Sequence, residues 1–245
     1  MPTLPFRHLV RAAVLVILAT PALSAQAPGL GDGQPFHVLG LTTGATTMAV
    51  DALNSVLTGQ RFSGLSNDGI GYGVSAHASF GRALIGADLV RTTFGEEGSS
   101  SGRTDDLNAT QYLATASYAF LSTGHLSIYP TLGVGAGRVD VTLRERNAAP
   151  AAAANEPTFQ GIAASPGAES VLSGNHLLYS VGGGADYLVT RRASDNVGVL
   201  FGLRAGVLVA PNRTTWTCGG RAVSAGPDAS AGGPFLRVVV GIGGR

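Results

Sequence analysis

The stretch GIGYGVSAHASF, Gly69 to Phe80, alternates almost without a slip. Ile70, Tyr72, Val74, Ala76, Ala78 and Phe80 share one parity, and Gly69, Gly71, Gly73, Ser75, His77 and Ser79 share the other. A period of two sends successive side chains to opposite faces, so this is a strand. Alternation alone does not say which face meets water. A soluble barrel hides its apolar parity inside, whereas a membrane barrel turns it toward lipid.

The same period recurs along the chain. Strands are expected at 36–50, 69–80, 83–94, 111–121, 125–145, 177–189 and 197–209, with PFLRVVVGIGG closing as the eighth. In the fifth, the apolar parity is even up to Ala136 and odd at Val139, Val141 and Leu143. That phase change beside Gly137 predicts either a bulge or departure from the constrained region. Between strands one and two, DALNSVL predicts a short amphipathic helix with Asp51 as N-cap and Leu53, Val56 and Leu57 on one face. It would rest on the membrane interface or cap the barrel mouth. GEEGSSSGRTDDLNAT reads as a loop, and its acids Glu96, Glu97, Asp105 and Asp106 as a solvated cluster able to attract cations. RNAAPAAAANEPTFQGIAASPGAESVLSG reads as a mobile low-complexity insert. Connections 2–3, 4–5 and 6–7 are short and the others long, the asymmetry of periplasmic turns against extracellular loops.

The polar parity decides the facing. A soluble exterior carries frequent charge, but here that parity is mostly Gly, Ser and Thr, and charged residues make up only 13% of the chain. Small side chains suit the narrow interior of eight strands. The expectation is therefore an all-β, eight-stranded antiparallel up-and-down transmembrane β-barrel spanning 36–245. Its lumen takes Asp88, Asp186, Arg204, Arg237 and His77, with Asp88, Arg204 and Arg237 near mid-height. Lone buried charges are costly, so the acids and arginines should pair and occlude the interior. Tyr72, Tyr112 and Tyr179 fall near the long-loop ends of their strands, and Phe80, Phe120 and Tyr187 near the short-turn ends. Those are the places of two interfacial aromatic girdles.

The first 27 residues have Arg7 and Arg11 ahead of an apolar run and end in Ala25-Gln26-Ala27, a secretory signal with an A-x-A cleavage site. Residues 28–35 form a Gly/Pro lead-in. The remaining chain carries 14 basic and 15 acidic side chains, every basic one an arginine, which gives no sign of a nucleic-acid partner. The single Cys218 has no internal disulfide partner and reads as an unpaired loop thiol.

At YPTLGVGAG, HASFGRALIGAD and the closing PFLRVVVGIGG, the chain resembles the small outer-membrane β-barrel family of OmpA/OmpX type. The resemblance implies insertion by the outer-membrane assembly machinery, contact with outer-membrane lipids, and a structural, anchoring or adhesin-like role. An extracellular ligand would be taken by the loops. Members of that family often end in an aromatic residue, whereas this chain ends in Arg245.

No catalytic, cofactor-binding or metal site is expected. Ser173 and His176 in SGNH are close in sequence without an acid beside them, and His37, His77 and His125 fit no nucleophile–base motif. The expected function is a non-enzymatic outer-membrane barrel with an occluded lumen. A lipid-modifying barrel enzyme and a soluble periplasmic lipocalin-like barrel are the alternatives.

Overall fold

The alternating segments become long, meandering strands in the computed structural model, which describes residues 36–98, 102–123, 125–146, 157–189 and 197–244. The signal and lead-in at 1–35 lie outside the described residues, as does Arg245. The strands are β1 (Phe36–Thr47), β2 (Asp68–Phe80), β3 (Ala83–Gly98), β4 (Arg103–Tyr118), β5 (Leu121–Ser122), β6 (Leu126–Glu145), β7 (Ser170–Val189), β8 (Val197–Val209), β9 (Thr215–Cys218), β10 (Arg221–Val223) and β11 (Gly233–Gly244). Two helices, α1 (Asp51–Gly59) and α2 (Phe159–Ala164), lie in the connections.

Eight strands pair antiparallel with their neighbours, and β11 returns to pair with β1, so the sheet closes on itself. Closure removes the open edges that a flat sheet would present. Pro130, on β6, is tolerated inside the sheet because β4 ends at Tyr118 beside it, and β5 takes up the pairing only at Ile128.

The facing follows the parity of β2. Ile70 is 68% exposed while Ser75 is 1% exposed. Leu41, Ile85, Leu132, Val181 and Ile242 are likewise exposed around the wall, whereas Asp186 is buried. The soluble lipocalin-like alternative is thereby overturned, because such a barrel would carry its large aliphatic residues inside. Tyr72, Tyr112, Tyr179, Phe80, Phe120 and Tyr187 all project outward. Within each pair, Tyr72/Phe80, Tyr112/Phe120 and Tyr179/Tyr187, the rings are eight residues apart. At ~3.3 Å per residue and a tilt of ~40° that separation is roughly 20 Å along the barrel axis, close to a bilayer's apolar height.

Several sequence expectations are corrected toward the long-loop end. No bulge occurs at Gly137: β6 keeps its register through Gln111↔Gly137 and Ala109↔Val139, and through Gly137↔His176 on the other side. The environment changes instead. Below Gly137 the outward residues are Leu132 and Val134; above it they are Arg138 and Asp140, while Val139, Val141 and Leu143 become fully buried inside. The strand has left the apolar zone with its geometry unchanged. The register shift of this region lies in β3, between Thr93 and Glu96, where Gly95 adopts a left-handed φ of 87°.

The loop expected at 95–110 is mostly paired strand, with Glu96 opposite Asp106 and Glu97 opposite Asp105. Asp105 is fully buried and does not form a solvated cluster. The insert expected to be mobile is in part folded. Residues 147–156 lie outside the described residues, but Thr158 caps α2 by accepting from the Gly161 amide, and β7 starts at Ser170 rather than at Leu177. Phe159 explains the order, since it is fully buried edge-on against Trp216 at 5.1 Å. Asp51 is not the N-cap of α1; Val50 holds that place without a side-chain bond, and Asp51 lies in the first turn, where its charge favours the helix N-terminus. The last long connection also folds, as the β9–β10 hairpin turning on Gly219 and Gly220 at positive φ.

Leu53 and Leu57 of α1 enter one core with Met48, Phe94, Leu107, Val141, Phe159 and Trp216. This core lies over the barrel mouth, so of the two placements expected for the helix the cap is the one observed. Arg103 fastens it. Its guanidinium donates to the Gln60 carbonyl at 2.6 Å, the Ala164 carbonyl at 3.0 Å and both oxygens of Glu145 at 3.1 Å, and lies 5.5 Å over the Phe62 ring. The described parts of the long loops, with the strand extensions, thus form a folded crown. Among the described residues no helix is long and apolar enough to cross a membrane, which says nothing of strands.

Candidate functional site

The inward parity of the membrane-height strands builds the candidate site. Ser75 and His77 come from β2, Asp88 from β3, Asp186 from β7, Arg204 from β8 and Arg237 from β11. Arg204 is the hub. One terminal nitrogen donates to Asp88 Oδ1 at 3.0 Å and to Ser75 Oγ at 2.8 Å; the other lies 3.1 Å from His77 Nδ1. The His77 Nε2 lies 3.6 Å from Asp186 Oδ2, which also accepts from the Tyr129 hydroxyl at 2.7 Å. Arg204 therefore ties β2, β3 and β8 together by hydrogen bonds, and the His77–Asp186 approach, too long for a hydrogen bond, brings this cluster up to β7.

The simple pairing of two acids with two arginines is not what forms. Arg237 and Arg204 are register partners on adjacent strands, so their like charges turn apart. Arg204 takes the acid-bearing side. Arg237 instead donates to the Gln111 side-chain oxygen and places its guanidinium 4.5 Å over the Phe235 ring. Asp186 is held by Tyr129 and faces His77, and it makes no ion pair with an arginine among the described residues.

Two members of this network, Tyr129 and Gln111, were not expected. Tyr129 reads as another aromatic of an apolar strand, yet its odd parity opposes the outward Leu132 and Val134, and that parity is the signal for an inward ring. Its room comes from glycine: a Cβ on Gly184 would stand 2.7 Å from the Tyr129 ring, and one on Gly202 would stand 2.5 Å from Asp186 Oδ1.

Apolar layers close the network at both ends. Val38, Leu188 and Leu200 pack together toward the short turns, as do Leu84, Ala119 and Tyr129. Toward the crown, Leu113, Leu178, Leu208 and Phe235 join the crown core. Between these layers is a cavity of about 40 Å³ bordered by His77, Asp88, Tyr129, Arg204 and Arg237. At ~10–15 Å³ each, it has room for about three water molecules.

Ser173 and His176 are not brought together. Ser173 donates to Asp140 Oδ1 at 2.6 Å and accepts from Arg138 at 2.9 Å, while the His176 ring is buried on the opposite, inward side of β7. Cys218 is half-buried at the end of β9 with a free thiol. No group of three or more His, Cys, Asp or Glu able to hold a metal ion occurs among the described residues.

Closure, outward apolar residues and a filled polar lumen define the class: an eight-stranded antiparallel β-barrel of the outer-membrane type. No protein-family model matches the chain, and no curated protein matches it. Among solved structures it is similar to neisserial surface protein A, at 14% identity and a TM-score of 0.44, over 86% of this chain and 98% of that one. It is also similar to the outer-membrane protease OmpT of Escherichia coli, at 12% identity and a TM-score of 0.36, over 92% and 99% of the two chains. A third likeness is to the translocator domain of the autotransporter NalP from Neisseria meningitidis, at 12% identity and 0.33, over 98% and 95%. These likenesses concern the strand framework alone.

Proposed function

We propose that this chain is a non-enzymatic barrel of the bacterial outer membrane, of the small OmpA/OmpX type, whose lumen is occluded and whose crown serves a structural or surface-interaction role. The signal-like N-terminus directs it out of the cytoplasm, the assembly machinery inserts it, and outer-membrane lipids surround its apolar band. The observation carrying this reading is the layering of the lumen, with the Arg204–Asp88 and Tyr129–Asp186 contacts sealed between two apolar layers. A cross-linked charge layer of this kind braces the wall from within and leaves no continuous water path. The folded crown holds its connecting segments on a rigid scaffold, the arrangement on which binding residues are commonly carried.

Planar-bilayer recording of the purified protein tests the occlusion. The expected result is no steady conductance above the bare-membrane level; a large, steady open state at moderate voltage contradicts the proposal.

A further inference from the structure

The point at which each strand changes its outward chemistry forms a row around part of the barrel. On β3 the outward residues pass from Leu89 to Arg91; on β4 from Tyr112 to Thr110; on β6 from Val134 to Arg138 across the small Ala136. The register joins these positions side by side: Tyr72 opposes Arg91, Arg91 opposes Thr110, and Thr110 opposes Arg138. Two arginines thus stand two strand spacings apart, or ~10 Å, with a hydroxyl residue between them. Directly below is the exposed apolar surface of Leu89, Tyr112 and Val134.

The Arg91 side chain is exposed, and its guanidinium makes no ion pair or hydrogen bond among the described residues. The Arg138 side chain is 52% exposed, and although its Nε is paired with Asp140, its second terminal nitrogen donates only to Ser173. The acids of this face, Asp140 and Asp106, stand farther from the membrane than the arginines of the row. Leaving the bilayer along β6, the outward residues are therefore apolar Val134, then Arg138 with its ion-pair partner Asp140, then Arg144 paired with Glu169.

We propose that the Arg91–Thr110–Arg138 row is a binding site for the phosphate headgroup of an anionic membrane lipid, with the acyl chains lying along Leu89, Tyr112 and Val134. This rests on the outer-membrane reading above and gives its lipid contact a chemistry. Guanidinium groups match phosphate oxygens in a two-pronged geometry, and their weak hydration suits a headgroup boundary. Continuity with the apolar band favours a lipid-borne phosphate, since the acyl chains and the headgroup then meet complementary surfaces on the same three strands.

Native mass spectrometry of the detergent-solubilised full protein, offered equal amounts of dioleoyl phosphatidate and dioleoyl phosphatidylcholine, tests the site. Wild type should retain phosphatidate preferentially. At ~1 kcal/mol per surface arginine, Arg91→Gln should cut that preference about fivefold, and Arg91→Gln with Arg138→Gln should cut it further, while Arg91→Lys keeps most of it. Heat-modifiable mobility on gels, recorded first, verifies that each variant is folded. Folded variants that keep the full preference, or a wild type that retains both lipids equally, overturn the inference and leave the barrel reading intact. Inorganic phosphate displacing the lipid at equal concentration also overturns it, because the site would then read a free anion. A wild type showing no heat-modifiable mobility would instead count against the outer-membrane reading.

Discussion

Asp88 shows how one residue's worth depends on its place. Its carboxylate accepts from Arg204, and both side chains are almost wholly enclosed, at 11% and 15% exposure. Asp88→Asn keeps the shape but leaves the Arg204 charge without its ion-pair partner, a change that costs about 3–5 kcal/mol at buried pairs. The expected outcome is a clear fall in the denaturant midpoint in detergent micelles. Replacing both residues with apolar ones of similar size should cost less than Asp88→Asn alone, because the orphaned charge is what destabilises. The parity of β2, β3 and β8 makes the inward placement of these side chains readable from sequence. Their partnering is not readable, since it depends on which neighbours share a height in the closed barrel. Arg237 illustrates this: a neutral glutamine from β4 receives it because Arg204 already stands beside it on β8.

Elements differ in legibility for a physical reason. β8 occupies the expected span 197–209, since its outer wall is apolar along its whole length. β3, β4 and β7 run longer than their apolar alternation, because above the band the outward residues turn polar while the inward ones pack into the crown. A reader following one greasy parity loses the strand there. His176 lies in such an extension of β7, beyond Tyr179 on the crown side. It is 4% exposed, and neither ring nitrogen forms a hydrogen bond. Burial holds its pKa below the ordinary histidine value, with the Asn212 backbone and the Asp228 charge acting in the opposite direction. The unfolded chain therefore binds the proton more readily than the folded one, so this stability is present above about pH 6.5 and is lost as the pH falls through the lower folded value. Melting temperature should drop between neutral pH and pH 5, and His176→Gln should flatten that drop. An unchanged pH profile in the variant would remove His176 as its source.

For the whole molecule, one inversion organises everything else. Below the level of Arg91 and Arg138 the barrel is apolar outside and charged within; above it the crown is polar outside and apolar within. The same continuous strands carry both arrangements, and on the membrane reading proposed above the boundary between them is the headgroup level. The direct test is a nitroxide scan of β2 in lipid bilayers, with single cysteines from residue 74 to 79 in a Cys218→Ser background. Oxygen, which concentrates in hydrocarbon, should reach the labels at 74, 76 and 78 and be excluded from those at 75, 77 and 79. Oxygen access on the odd positions, or no alternation at all, would contradict the facing on which the membrane reading depends.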